Sequence, residues 1–141
     1  MIGAIIAKIQ VRKGFDLFSR QELDKLLSAW RDDAYLVYPG DVPASGTHQG
    51  KDALRKWFKN FFENYPEFSF KVKNVCVDNI FDLTGTNTIA VYWEFDSTTR
   101  NGGKWHNTGF SMFTIKFGKI VSCRDFMFDS GPDFRKSWGV K

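Results

Sequence analysis

The sequence predicts a single α+β domain over residues 1–141, in which helices come first and a mostly antiparallel sheet follows. Apolar residues recur at helical spacing early in the chain and alternate later, and glycine-containing turns separate the alternating runs. The chain is 43% hydrophobic and 17% aromatic, which is enough for one sizeable core. Disorder is therefore excluded as a description of the whole chain.

Two helices are predicted in the first thirty residues. Four isoleucines at helical spacing indicate the first: Ile2, Ile5, Ile6 and Ile9. Ser19 and Glu22 have the spacing of a capping box, so a second helix is predicted from Arg20 to about Arg31. A short strand over 34–38 follows, and Pro39 ends it.

A third helix is predicted over 51–64, after a loop. The loop covers 40–50, where three glycines and one proline interrupt both periodic patterns. The helix is indicated by an apolar stripe of Leu54, Trp57, Phe58, Phe61 and Phe62.

Four strands are predicted in the rest of the chain, over 68–77, 88–98, 104–117 and 120–129. Asn101-Gly102-Gly103 indicates a hairpin tip, and Gly118-Lys119 indicates a tight turn. After them, Ser130-Gly131-Pro132 begins a short terminal helix or turn that carries Phe134 and Trp138.

Composition and charge exclude several classes of protein. The net charge of +4 is too weak to indicate nucleic acid as the partner. No stretch approaches the roughly 20 apolar residues of a membrane span, so no membrane partner is expected. The basic residues Lys8, Arg12 and Lys13 follow the first apolar run, unlike in a secretory signal, which predicts a cytoplasmic protein. Cys76 and Cys123 lie in strand-like runs and are expected to be small buried side chains.

The common signatures of cofactor chemistry are missing. The chain has no phosphate-binding glycine loop, no dinucleotide fingerprint and no nucleophile elbow. Its two histidines, His48 and His106, are far apart in sequence and no CxxC pair accompanies them. We therefore expect neither a cofactor nor a metal ion.

Asp125 is the carboxylate in the most unusual place. Alternation in the last strand puts it on one side with Val121, Cys123 and Met127, which are all apolar. A carboxyl group desolvated in such surroundings has a raised pKa and can exchange protons near neutral pH. The alternative is that Asp125 pairs with a Lys or Arg, or accepts backbone hydrogen bonds.

Three other polar residues are weaker candidates. Asp96 shares a strand side with Tyr92 and Glu94, where an ordinary solvent-facing edge is the alternative. His106 and Asn107 lie on opposite sides of their strand, so one of them at most faces a given cavity.

The order of several short motifs resembles that of SnoaL-like proteins, in the superfamily of nuclear transport factor two-like and ketosteroid isomerase-like folds. The resemblance covers about residues 10–130. Its motifs are Trp30-Arg31-Asp32-Asp33, a strand ending at Pro39, Gly50-Lys51-Asp52-Ala53-Leu54, Thr108-Gly109-Phe110-Ser111-Met112-Phe113, Gly118-Lys119-Ile120 and Arg124-Asp125-Phe126.

The resemblance implies a cone, in which a strongly curved, mostly antiparallel sheet wraps around the N-terminal helices as in cystatin-like α+β barrels. It also implies an apolar pocket in the cone and a homodimer formed through the sheet. Members of the superfamily include polyketide cyclases, isomerases, dehydratases, epoxide hydrolases and binding domains, so the fold alone does not decide the function.

Carried over by position, Asp125 matches the acid of the last-strand motif in the epoxide hydrolase and cyclase branches. Asp96 falls near the mid-sheet acid of the hydrolase branch, but Glu94 stands where that branch has an arginine. Tyr38, just before a proline, stands where the ketosteroid isomerases carry their base. Neither activity is supported by a complete set of residues.

Two functions of different classes follow. The first is a cofactor-independent enzyme that transfers protons on a small hydrophobic carbonyl compound, as an isomerase, cyclase or hydratase. Asp125 would be its acid or base, and Tyr38 or Asn107 the hydrogen-bond donor to the oxyanion. The residues expected to contact the ligand are Trp30, Trp57, Phe61, Trp93, Asp96 and Phe110, with the loop 40–50 as part of the lip. The second is a binding or association domain without catalysis, and nucleic-acid binding is a minor third.

Overall fold

The computed structural model describes residues 1–141 and contains four helices and one sheet of six strands. The helices are α1 (Ile2–Ser19), α2 (Leu23–Ser28), α3 (Lys51–Asn64) and α4 (Pro132–Ser137). The strands are β1 (Trp30–Tyr38), β2 (Gly46–Gln49), β3 (Glu67–Val77), β4 (Asn87–Thr98), β5 (Lys104–Lys116) and β6 (Lys119–Met127).

The strands are arranged in the order β2-β1-β6-β5-β4-β3. Every neighbouring pair is antiparallel except β1 and β6, which are parallel. The sheet is curved around the helices and does not close on itself. This arrangement confirms the predicted α+β class and the curved, mostly antiparallel sheet.

The core lies between the inner face of the sheet and the helices α1 and α3. Helix α3 has the predicted bounds, and its stripe of Leu54, Trp57, Phe58 and Phe61 is buried because it faces the sheet. Aromatic rings of α3 contact rings of the strands, as between Phe61 and Phe68, whose ring centroids are 5.4 Å apart in an edge-on arrangement.

Helix α1 faces the core with a different stripe from the predicted one. Its buried residues include Ala4, Ala7, Val11 and Phe15, whereas Ile2, Ile5, Ile6 and Ile9 are exposed. Small side chains let the first turns of α1 approach the neighbouring backbone closely. A Cβ added to Gly3 would lie only 1.7 Å from the carbonyl oxygen of Asp82.

The predicted second helix is too long at both ends. Helix α1 continues to Ser19, and Gln21 then turns the chain with φ of 58°. Glu22 is the N-cap of α2 without a side-chain capping bond, because its carboxylate binds Lys25 and Arg20. Trp30 already begins β1, since its backbone pairs with Ile120 in β6.

Two further predictions differ from the structure. The predicted loop contains the short strand β2, which pairs with β1 from Tyr35 to Tyr38. Cys123 is buried as expected, but Cys76 is exposed, and both thiols are free.

None of the four helices has the length and hydrophobicity required to span a bilayer.

Candidate functional site

A cavity of about 420 Å³ lies between the inner face of the sheet and the helices. This volume is in the lower part of the range typical of small-molecule sites. Most of the residues that line it are apolar. Its aromatic lining consists of Phe15, Phe18, Trp30, Tyr38, Trp57, Phe58, Phe61, Phe70, Trp93 and Phe113.

The exposed lining residues show where the cavity opens. Gln10 and Lys13 of α1, Lys25 and Ser28 of α2, and Gly118 in the β5–β6 turn are exposed, and together we call them the mouth. Away from the mouth, the lining side chains of Tyr38, Trp57 and Phe61 are buried against one another, and we call this part of the cavity the inner end. Helix α4 packs behind that end, where Phe134 and Trp138 contact the ring of Tyr38 at 6.0 Å.

Asp125 lies in the wall of this cavity. Alternation in β6 places its side chain on the same side as Cys123 and Met127, and all three line the cavity. Protein surrounds the carboxylate, which keeps limited exposure through the cavity. It forms no ion pair with any Lys, Arg or His.

A short chain of hydrogen bonds holds one oxygen of this carboxylate. Ser111 stands opposite Asp125 in the β5–β6 pair, and its hydroxyl donates to Oδ1 at 2.6 Å. The indole Nε1 of Trp93 donates to Ser111 Oγ at 2.9 Å, which directs the hydroxyl proton toward the carboxylate. The Cys123 thiol donates weakly to the same oxygen at 3.5 Å. Oδ2 accepts no hydrogen bond from the protein, so it is available to a ligand.

Gly109 makes room for this chain of hydrogen bonds. A Cβ on Gly109 would lie 2.3 Å from the carbonyl oxygen of Phe126 and 2.8 Å from the six-membered ring of Trp93. Without that Cβ, the indole lies across β5 and reaches Ser111.

Burial in apolar surroundings raises the pKa of Asp125 from its ordinary value of 3.8 to about 6, although the bonds from Ser111 and Cys123 oppose the shift. The pKa of the Cys123 thiol is raised well above its usual range by burial and by the nearby carboxylate. Near neutral pH, the carboxyl group can therefore accept and return a proton, whereas the thiol stays protonated.

Tyr38 is the second polar residue of the inner end. Burial is the main cause that raises its pKa well above the usual range, and the charges of Tyr65 and Asp125 act in the same direction. The phenol therefore keeps its proton and remains a hydrogen-bond donor over the whole physiological range.

The structure brings six of the nine candidate residues to the cavity. These are Asp125, Tyr38, Trp30, Trp57, Phe61 and Trp93. The loop 40–50 contributes no lining residue and does not form a lip. Its Asp41 instead binds Arg135 of α4.

The other three candidates lie elsewhere. Asn107 is buried beyond the cavity, where its amide donates to the carbonyl of Asp129 at 2.9 Å and accepts from the Asp129 N–H. Asp96 is exposed on the outer face and pairs with His106 at 2.8 Å. Phe110 is on the same face, where its ring contacts Tyr92 at 5.2 Å. None of the three lines the cavity.

Sequence reasoning missed two residues of the site. Ser111 was part of a motif but had no assigned role, although it lies at the register position opposite Asp125. Gly14 lines the cavity from within α1, and a Cβ built on it meets nothing within 4 Å. The signal for Gly14 was a glycine inside a helical pattern, where alanine is about 1 kcal/mol more favourable.

The SnoaL-like domain family matches residues 11–123, which is most of the chain. Among curated proteins, none matches the chain in sequence.

Several solved structures share the fold. Bal32a from a soil-derived mobile gene cassette superposes with a TM-score of 0.83 at 18% identity, covering 96% of this chain and 98% of its own. A candidate isomerase from Bacillus subtilis superposes with a TM-score of 0.77 at 19% identity, and the match covers 100% of this chain and 98% of the isomerase chain. A candidate polyketide cyclase from Sinorhizobium meliloti superposes with a TM-score of 0.63 at 21% identity, and the match covers 83% of this chain and 93% of the cyclase chain. At such low identities, the likeness is one of fold.

Proposed function

The chain belongs to the SnoaL-like domain family, and from the chemistry of its cavity we propose that it is a cofactor-independent enzyme that transfers protons on a small apolar carbonyl compound. Isomerisation, cyclisation and hydration are the reactions of this class. The isomerase and cyclase names of two structural neighbours are compatible with the proposal.

One observation carries the proposal. The Asp125 carboxylate lies in the wall of an apolar cavity of about 420 Å³, has no cationic partner and leaves Oδ2 without a protein donor. A carboxylate kept only for stability is normally paired with a cation or fully hydrogen-bonded, because burying it otherwise is unfavourable. A proton-transfer site benefits from this arrangement, because its acid must titrate near the working pH.

The proposed reaction begins with a ligand whose carbonyl oxygen accepts a hydrogen bond from the Tyr38 hydroxyl. Oδ2 of Asp125 removes a proton from the carbon next to the carbonyl, and the C–H electron pair moves into the enolate. The protonated carboxyl then returns the proton to the same or a conjugated carbon. Ser111 and Trp93 position the carboxylate through Oδ1 without taking part in the transfer.

Exchange of carbon-bound protons in deuterated water tests this function without knowledge of the natural substrate. Apolar ketones small enough for the cavity are incubated with the protein, and loss of the α-proton signal is followed by NMR. The parent chain is expected to accelerate exchange for at least one of them. Asp125→Asn is expected to lower the rate roughly 100-fold or more, because amides are not general bases.

Asp52→Asn is the matched control, because Asp52 is exposed in the first turn of α3 and does not line the cavity. Its exchange rate should equal that of the parent chain. Equal rates for the Asp125→Asn variant and the parent would refute the base role of Asp125.

A binding role without turnover is the second candidate. It is favoured by the small number of polar groups at the inner end, since Asn107 is bound to Asp129 and supplies no donor to the cavity. Ketones that quench the cavity tryptophans but undergo no accelerated exchange would support this candidate instead.

We further propose a homodimer formed through the outer face of the sheet, and the two free thiols are compatible with a cytoplasmic location. The aromatic residues Tyr92, Phe110 and Phe126 form one row across β4, β5 and β6 by register. Phe110 and Phe126 are 45% and 49% exposed, and Met112 lies beside them at 42%. A contiguous apolar surface of this kind on a sheet face is typical of an association site.

Phe110→Glu combined with Phe126→Glu is expected to convert the dimer to monomer, because association would bury four unpaired carboxylates. Light scattering coupled to gel filtration measures the mass. Phe117→Ser, which changes an exposed aromatic residue on the β5–β6 turn, is the control and should leave the dimer intact. A monomeric parent chain at micromolar concentration would contradict the proposal.

A further inference from the structure

One side of α1 carries an apolar stripe that no part of the chain covers. Ile2, Ile5, Ile6 and Ile9 are between 49% and 69% exposed, and their spacing places them on one face of the helix. The opposite face, with Ala4, Ala7 and Val11, makes the contacts with the core. Exposed isoleucines in such a group are unfavourable in water and are typical of a contact surface.

The stripe continues onto the loop between β3 and β4 and onto the β5–β6 turn. The close approach of Gly3 to the Asp82 carbonyl places the first turn of α1 on that loop, whose Phe81 and Leu83 are 74% and 84% exposed. Gly118 in the turn donates to the Gly85 carbonyl at 3.0 Å. We call Ile2, Ile5, Ile6, Ile9, Ile80, Phe81, Leu83 and Phe117 the apolar end.

Phe117 is held in an unfavourable conformation on this surface. It is 80% exposed and has φ of 49°, a backbone conformation that glycine or asparagine adopts at lower energy. Neither burial nor turn geometry therefore explains a phenylalanine at this position.

Basic residues of α1 and of the β5–β6 turn lie beside the apolar end. Lys8, Arg12 and Lys13 of α1 and Lys116 beside the turn form no ion pair, and residues 1–15 contain no acid. The nearby acids are Asp78 and Asp82 in the β3–β4 loop, and Asp82 accepts hydrogen bonds from Thr84 and Thr86.

We propose that the apolar end docks the protein on the surface of an anionic lipid bilayer. Apolar side chains entering the interface, with cations beside them at the level of the headgroups, are the features of interfacial helices. This proposal goes beyond the function proposed above. It also departs from the expectation of no membrane partner, because the isoleucines lie outside the core.

A second copy of the chain is a less suitable occupant for this surface. Pairing two apolar ends would bring the four unpaired cations of each copy against those of the other, which is unfavourable. Headgroups such as phosphatidylglycerol provide the opposite charge.

The location of the apolar end beside the mouth gives the docking a use. Ile9 of the apolar end lies one helical turn before Lys13 of the mouth, and Phe117 of the apolar end directly precedes Gly118 of the mouth. A docked molecule would thus have its mouth near the bilayer surface, where apolar small molecules accumulate.

Sedimentation with sucrose-loaded vesicles tests the docking. Vesicles of phosphatidylcholine alone are compared with vesicles of phosphatidylcholine and phosphatidylglycerol in equal parts. The parent chain should sediment with the mixed vesicles and not with the neutral ones. Lys8→Gln with Arg12→Gln should weaken this partitioning roughly 25-fold, since each cation near the surface contributes about fivefold.

Ile5→Ser with Ile9→Ser and Phe81→Ser should abolish the sedimentation, and these exposed positions allow the change without loss of fold. Phe128→Ser, which removes an aromatic ring that is 80% exposed and lies outside the apolar end, is the control and should sediment like the parent. Failure of the parent to sediment with mixed vesicles would overturn the proposal. Equal sedimentation with neutral vesicles, or by the serine triple variant, would also overturn it.

Discussion

The Asp125→Asn variant is expected to be more stable than the parent chain at about pH 8, by about 2–3 kcal/mol in the free energy of unfolding. Burial raises the pKa of Asp125 from 3.8 to about 6 in the folded protein. Each pH unit between the two values corresponds to about 1.4 kcal/mol, so ionising the buried carboxyl costs about 3 kcal/mol. The exposure of the carboxylate to the cavity reduces this figure somewhat.

The direction of the pH dependence follows from the raised pKa. Below about pH 3, Asp125 is protonated in both the folded and the unfolded chain, so the variant and the parent should differ little. As the pH rises toward 6, the unfolded parent ionises first, and the parent loses stability relative to the variant. Above about pH 7, the folded parent is ionised as well, and the stability difference between the two chains should stay constant.

Urea denaturation at a series of pH values measures the difference. Other acids, such as Asp33 and Asp82 with their lowered pKa values, are common to both chains and cancel. Asp52→Asn should show no such pH-dependent gain. If the stability difference between parent and variant did not change with pH, ionisation of Asp125 would not destabilise the folded chain. The same substitution would remove proton exchange, so stability and activity are expected to oppose each other at this residue.

Gly14→Leu is expected to block the cavity while leaving the fold at least as stable. Gly14 is inside α1 and lines the cavity, and a Cβ built there meets nothing within 4 Å. A leucine has room to extend into the cavity from this position. It also has a higher helix propensity than glycine, by roughly 0.5–1 kcal/mol, which favours the folded chain.

The fluorescent probe anilinonaphthalene sulfonate, which binds apolar cavities, measures the effect on binding. Its affinity should fall roughly tenfold or more in Gly14→Leu, because the leucine occupies volume that the probe needs. Gly14→Ala is the matched control: it should gain about 1 kcal/mol in stability and keep most of the binding. Unchanged probe affinity in the leucine variant would show that the probe does not enter the cavity beside Gly14.

Local sequence patterns were enough to predict the fold and to place Asp125 among apolar neighbours. A period of two in β6 correctly grouped Asp125 with Cys123 and Met127, because alternation in a strand is imposed by backbone geometry. Likewise, the aromatic stripe of α3 has a single face able to bury it, so its bounds and its contacts with the sheet were predictable.

The predictions that failed required knowing how the strands and helices pack against one another, which local patterns do not show. Alternation shows which residues share a side of a strand, but not which side faces the helices, and Phe110 lies on the outer side for that reason. The isoleucines of α1 were assigned by hydrophobicity, whereas close packing selected Ala4 and Ala7 for the inside. Asn107 is on the inner side but lies near the start of β5, where Asp129 takes its hydrogen bonds.

The parallel pairing of β1 with β6 has a consequence for how the chain folds. It joins residues about ninety positions apart, such as Leu36 and Cys123, and β6 is the last strand to be synthesised. Until β6 arrives, the edges of β1 and β5 are unpaired, and the apolar interior has no wall on that side. Closing so long a loop is slow, so the unfinished sheet has open edges that favour aggregation. The strand that carries Asp125 is therefore also the one whose insertion completes the sheet.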